Sequence, residues 1–515
     1  MKKYSSAFFI LIFSVSLIFA GSEKSIYNIG DYKIANDGKT NVTKEIQAVI
    51  DECTGAGGGT VYFPAGTYMI AALQLKDNVY LELSAGATLF GSPVMDDYNP
   101  KYTIYAMKAK NFGIKGEGTI DGNGEVFWKG KTGELVRPNR LLFFDESSYI
   151  RIEGIKIFNS PNWNMELQFC DFAWIDGITM ISPQDAPNTD GIDPTSSTNI
   201  FISNSYFDLG DDVICPKSLK GRPTENLVVT NCVMRSDDSA IKLGTRSEAP
   251  IRNCIFSNII IKDTQYGLAF FAKDGGTFEN IRFSNISIET ALKDDNSNDR
   301  PSGSYAIFLD IEKRKEEGPI SYIKNVYFND ITINSNDGHI LVAGWPEQKI
   351  ENLYFSNINY NLYNHRTFEG SKKPRGVKSL KNKAINDYSD IPSNFTFAYV
   401  KNLNIDNLVI TDYDSSGKYE RHMIWGKDIE GVHINQFKNS VATPNKALSL
   451  FHFENSTDIS INSSSACKTD SPFLSLGKNV SDVTLMYNDF RKVKEIYKSV
   501  TELPKGEIYI ENNRR

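Results

Sequence analysis

A right-handed parallel β-helix is the fold this sequence predicts, and three observations lead there. The first is a repeat. The pattern Asn-x-x-x-x-Asn/Asp, with apolar residues at alternate positions between, occurs at Asn199/Asn204, Asn226/Asn231, Asn253/Asn258 and Asn280/Asn285. It returns at Asn325/Asp330, Asn352/Asn357 and Asn402/Asn407. The first four starts are 27 residues apart, and the later gaps are 45, 27 and 50. The second observation is a succession of short β-branched or aromatic runs, each bounded by Gly, Asn, Asp or Ser. The third is that helical patterning is nearly confined to one early segment. A period of this size with several strands per repeat is a coil wound from strands. A leucine-rich repeat shares the period but needs a leucine frame that is missing here. Asparagines stacked at equivalent turns satisfy one another's amides between coils, which explains Asn at both ends of the repeated strand.

The elements follow in order. Lys2 and Lys3 precede an apolar run over 7–20, and Ala20, Gly21 and Ser22 come next. This is the pattern of a secretory signal peptide cut after Ala20 or Gly21, and the run is short for a membrane span. An exported protein, periplasmic or extracellular and without a membrane anchor, is expected. The remainder, 21–515, is expected to form a single β-helix domain: an N-terminal cap over 27–75, catalytic coils over 76–440, and further coils and a tail over 441–515. Within the cap, Thr43 is placed to cap a helix whose apolar positions run over 45–53, and the glycines at 55–59 end it. A parallel coil has an open apolar end, and such a helix plugs it. Strands are expected at 60–63, 79–83, 87–90, 112–115, 141–144 and 149–152. The wider gaps in the repeat place insertions at 290–318 and 362–396. The second is basic, with Arg366, Lys372, Lys373, Arg375, Lys378, Lys381 and Lys383. Both are read as surface loops, either walling a binding face or simply solvated. Beyond 400 the strands weaken, a helix is expected over 486–499, and the tail from Gly506 is polar.

Composition bounds the function. The formal charge is −7, becoming −9 without the leader, and no Lys/Arg cluster dominates, which argues against nucleic acid as a partner. The six cysteines (Cys53, Cys170, Cys215, Cys232, Cys254, Cys467) fit no metal spacing. Several sit in apolar runs as small core residues, and one disulfide is left open. No cofactor and no metal are expected, and a monomer is.

Chemistry is concentrated over 188–218. Asp190 lies in Asn-Thr-Asp-Gly and Asp211 and Asp212 in Gly-Asp-Asp, on either side of one short strand. Asp beside Gly commonly makes turns. Two such motifs in one repeat unit can also converge on one face. Glycoside hydrolysis needs one carboxylic acid to protonate the leaving oxygen and one or two carboxylates to activate water. Asp211 falls 12 residues after Asn199 and Asp238 12 after Asn226, so the two should stack on adjacent coils, roughly 4.8 Å apart, with Gln265 next in the row. Asp237, Lys217, Lys242, Arg246 and Lys273 extend a polar face across several coils, which suits a polymer. Trp163 either stacks on a sugar or packs at an edge. Tyr266, Phe270 and Phe271 form an apolar subsite or fill the coil. Asn188 is placed at the substrate, although with Thr189 its first use is shaping the turn. Asp193 and Asp208 read as turn acids.

These residues resemble glycoside hydrolase family 28, the polygalacturonase family. The matching pieces are Ser160-Pro-Asn-Trp163, Asn188-Thr-Asp-Gly191, Gly210-Asp-Asp212 leading to Lys217-Ser218, and Gly221-Arg-Pro-Thr-Glu-Asn226. The likeness runs from about residue 28 to about 440 and includes the capping segment. It implies that Asp211 is the general acid and that Asp190 and Asp212 hold a water attacking with inversion. It implies a pectin-like polysaccharide as substrate. Two motifs depart. Asp238 stands where the family carries the His of Gly-His-Gly, and Ala269 and Phe271 stand where it carries the Arg and Lys of Arg-Ile-Lys. Losing that basic pair removes the charge-assisted bonds that select a uronate. Four readings stay open: a hydrolase whose substrate is not plain polygalacturonate, with Lys242, Arg246 or Lys273 supplying charge elsewhere; an active pectin hydrolase in which those lysines replace the clamp; a non-catalytic carbohydrate-binding β-helix; and a polysaccharide lyase.

Overall fold

The computed structural model describes residues 25–515 apart from 132, 291–303, 337, 365–387, 389–390, 414–419, 442–446 and 502–506. The leader over 1–20 and the basic residues of the second insertion lie outside the described residues. The chain forms a right-handed parallel β-helix. One parallel sheet of 25 strands wraps the coil, and a further face is built from a run of five strands and a run of nine. Trp174, Phe201, Val228, Ile255 and Arg282 lie directly above one another in register, each 27 residues after the last. The register then steps to Tyr327, Tyr354 and Asn404, reproducing the gaps of 45, 27 and 50.

The asparagine repeat is the hinge of each coil. Asn199, Asn226, Asn253, Asn280, Asn325, Asn352 and Asn402 all adopt left-handed backbone, φ 55–59°. Asn tolerates that conformation because its short amide bonds locally. Each Nδ2 donates to the Oδ1 of the asparagine one coil earlier, from Asn226 on Asn199 (3.0 Å) to Asn402 on Asn352 (2.8 Å). The alternate residues of each strand point inward and form one continuous apolar core, with Phe256, Phe283, Phe328 and Phe355 stacked along it. Phe270 belongs to this interior. All six cysteines are free, and five of them are buried.

Several expectations need correction. The helix Thr43–Gly55 buries Ile46, Val49, Ile50 and Cys53 as expected, but its N-cap is Val42 without a side-chain bond. Thr43 Oγ1 instead accepts from Ala71 N (2.8 Å), tying the helix to the first coil. The first insertion is not all loop: Ser304–Ile311 is a buried strand paired with Tyr266–Ala272. The second contains the buried strand Ser393–Ala398. No helix forms over 486–499. The chain there makes strands Ser481–Met486 and Tyr497–Ser499, and Phe490 packs edge-on against Phe473 at 4.9 Å. Stacking on a preformed coil overrides the helical propensity of that charged stretch. Asp193 and Asp208 are strand residues rather than turn acids, within Ile192–Thr195 and Tyr206–Leu209. Asp208 accepts from Gln184 and Arg235.

Candidate active site

The second face is interrupted at one place. Between strands Ile192–Thr195 and Ser239–Thr245, residues 210–218 make only single bridges, Ile192 to Ile214, Ile214 to Ile241, Thr195 to Lys217 and Ser218 to Ser247. Pro216 in this segment has no N–H to give to a ladder. At this break the two acidic motifs meet. Thr189 joins them directly: its Oγ1 accepts from Gly210 N (3.1 Å), while Gly191 N donates to Asp212 O (2.8 Å). The glycines are required by close approach. A Cβ at Gly191 would lie 2.4 Å from Val213 O, and one at Gly210 would lie 2.5 Å from Ala186 O.

Carboxylate oxygens of Asp190, Asp211 and Asp212 come within 4.8 Å of one another. Lys242 Nζ donates to Asp212 Oδ2 (2.5 Å). Asp212 Oδ1 is buried and makes no hydrogen bond to the described residues. Lys217 Nζ reaches Asp190 Oδ2 (3.4 Å) and pairs closely with the fully buried Asp193. Asp238 sits one coil along from Asp211, held through its N–H on Ser236 Oγ (2.9 Å) and by the Ser239 hydroxyl on its Oδ1 (3.1 Å).

The electrostatics separate these groups. Burial, and then the charges of Asp190, Asp212 and Asp238, push Asp211 well above the ordinary carboxylate range, with Lys242 opposing. Asp211 therefore keeps its proton at pH values where an exposed aspartate has lost it. Burial also raises Asp190 and Asp193, against the pull of Lys217. For Lys217 and Lys242 burial favours the neutral amine, but the surrounding carboxylates, led by Asp193 and Asp212 respectively, outweigh it and hold both lysines charged.

Eight of the residues singled out in the sequence line one open cleft of about 360 Å³: Asp190, Asp211, Asp212, Asn188, Lys217, Asp238, Lys242 and Trp163. Trp163 faces the cleft rather than the core, and the cations of Arg140 and Lys217 sit 3.7 and 4.3 Å from its ring centroid. Arg246 lines an adjoining cavity of about 590 Å³. Lys273 reaches neither: it is 4% exposed and its Nζ lies 2.5 Å from Glu312 Oε2. The two altered positions, Ala269 and Phe271, are covered by a second apolar cluster on the outside of the coil with Tyr266, Phe308 and Leu341. The missing basic pair is thus replaced by packing.

Four groups were not legible in the sequence. Arg137 donates to Pro161 O, Pro187 O and Asn188 Oδ1 (2.7–2.8 Å), bracing the turn before Asp190. Arg140 is bound to Glu166 (2.6 Å). Asp193 anchors Lys217, and Arg314 grips Asp274 through two bonds of 2.5 and 2.8 Å. No local motif marks any of them.

Crowded, cation-braced carboxylates in an open cleft are groups of the kind that glycoside hydrolysis uses. A sequence profile described as glycosyl hydrolases family 28 matches residues 53–372, more than half of the chain, and the chain belongs to that family. A probable polygalacturonase of Vitis vinifera is 31% identical over 242 residues, 41% of this chain and 49% of that protein. An exopolygalacturonase of Zea mays is 30% identical over 200 residues, 36% of this chain and 48% of that protein. The chain spans about half the length of the curated relatives it matches. Among solved structures, the exopolygalacturonase of Thermotoga maritima superposes with a TM-score of 0.57 at 18% identity, over 75% of this chain and 91% of that one, a likeness of fold.

Proposed function

We propose that this protein hydrolyses the glycosidic bonds of a pectin-like or other acidic polysaccharide by single displacement with inversion. The observation that carries the reading is the convergence of the Asp190, Asp211 and Asp212 side chains in an open cleft, with Lys242 on Asp212 and Lys217 near Asp190. Asp211 gives its proton to the glycosidic oxygen as the bond from the anomeric carbon breaks. Asp190 and Asp212 orient a water, accept its proton, and direct its oxygen to the anomeric carbon. The oxygens converge more closely than the roughly 6.5–9.5 Å that separates acid and base in most inverting enzymes. Inversion therefore rests on the family likeness rather than on spacing, and the anomer first released, read by NMR, decides it. A lyase needs a free base, and Lys217 and Lys242 are both paired and held charged. Export fits the leader pattern and is checked by the N-terminus of the mature protein.

The test is reducing-end release on polygalacturonate, rhamnogalacturonan, xylogalacturonan and sulfated algal galactans, with Asp211→Asn as control. Hydrolysis of an acidic polymer by the native protein alone supports the reading; binding without hydrolysis on every polymer would replace it with a carbohydrate-binding role. The pH profile gives a second check. Activity needs protonated Asp211, so kcat/KM falls as pH rises through its pKa. Asp238→Asn removes a negative neighbour, lowers that pKa, and should move the alkaline limb to lower pH. An unmoved limb would mean that Asp238 does not act on Asp211.

A further inference from the structure

The cations around the cleft are almost all occupied. Lys242 is on Asp212, Lys217 on Asp193 and Asp190, Arg140 on Glu166, and Arg314 on Asp274. Lys273, the other candidate, is on Glu312. Arg246 differs. Its side chain is exposed and has no ion-pair or hydrogen-bond partner among the described residues.

Its backbone, by contrast, is held. Arg246 O accepts from Ser218 N (2.9 Å), Ser247 N donates to Asp274 Oδ2 (3.1 Å), and Glu248 N donates to Ser218 O (3.1 Å). A fixed backbone thus carries a free guanidinium into the 590 Å³ cavity, which shares Trp163, Lys217 and Thr245 with the catalytic cleft. The two cavities have opposite character. The catalytic one carries four aspartates and two lysines; the adjoining one carries four basic side chains against Glu248 and Asp274.

We propose that Arg246 is the specificity-determining residue for an acidic sugar, binding the carboxylate of a uronate next to the cleaved bond. This rests on the hydrolase reading of the cleft. A guanidinium presents two parallel N–H groups to a carboxylate, a geometry a neutral hydroxyl does not match. The charge enters from the end of strand Ser239–Thr245, one coil before the apolar positions Ala269 and Phe271. A sulfate ester offers similar chemistry, and the experiment separates the two.

The experiment compares native protein, Arg246→Ala and Arg246→Lys on trigalacturonate, its methyl ester and a sulfated galactan oligosaccharide. Arg246→Ala should lose about 10- to 100-fold in kcat/KM on the acid, mainly through KM, with the ester unaffected and Lys recovering part of the loss. Thermal midpoints should stay equal, because the side chain is exposed and unbonded. An unchanged acid-to-ester ratio overturns the proposal, as does a preference confined to the sulfated sugar. If the native protein cleaves none of the three, the hydrolase reading falls separately. Calorimetric binding then decides: a preference for the acid that disappears in Arg246→Ala upholds the role of Arg246, and equal affinities, or no binding, overturn it.

Discussion

Asp211→Asn should lower turnover by about 10²–10⁴-fold while leaving the fold intact. The amide keeps the acceptor that Asp212 N uses (2.9 Å), so the local turn survives. Because burial and three neighbouring carboxylates favour the protonated, neutral form of Asp211, a neutral amide leaves the charge balance of the site nearly unchanged. The thermal midpoint should therefore stay close to that of the native protein. A sugar fluoride, whose leaving group needs little proton assistance, should recover much of the lost rate. Full activity of the variant on a natural polymer would remove Asp211 from the acid role. A defect of the same size on the fluoride would point to misplacement of the water instead.

Lys217→Met is the substitution expected to cost most stability. Lys217 is 7% exposed and lies between Asp190 and the fully buried Asp193. Methionine preserves the stem but leaves two buried carboxyls without their cation. Breaking a buried pair in this way costs about 3–5 kcal/mol, and activity should fall with it because Asp190 loses its brace. Urea unfolding measures the first and initial rates the second. The double variant Lys217→Met/Asp193→Asn should regain much of the stability but little of the activity, since Asp193 is a support and Asp190 faces the cleft. A Lys217→Met protein as stable as the native one would show that the pair contributes nothing to folding.

What was legible in the sequence was whatever repeats or stands adjacent in the chain. The 27-residue step, the asparagines stacked between coils and the order of the two acidic motifs follow from local conformational preference and from one coil stacking on the next. The stacking of Asp238 near Asp211 could be counted from the repeat alone. The helix expected over 486–499 failed because its propensity was read without the coil beneath it. The strand Ser304–Ile311 was hidden by the length of the insertion around it.

Tertiary structure alone decided which charges are available. Arg137 reaches the turn at Asn188 from 51 residues away, and Arg314 reaches Asp274 from 40. Lys273 and Arg246 look alike in the chain, yet one is sealed onto Glu312 and the other is free. Ala269 and Phe271 read as a lost clamp in the chain, and only the structure shows them packed into an apolar cluster with Tyr266 and Phe308. The physical reason is the range of the interactions. Backbone periodicity is set by neighbours along the chain and one coil away. Charge compensation and burial depend on long side chains crossing coils in three dimensions, and no spacing in the sequence records that reach.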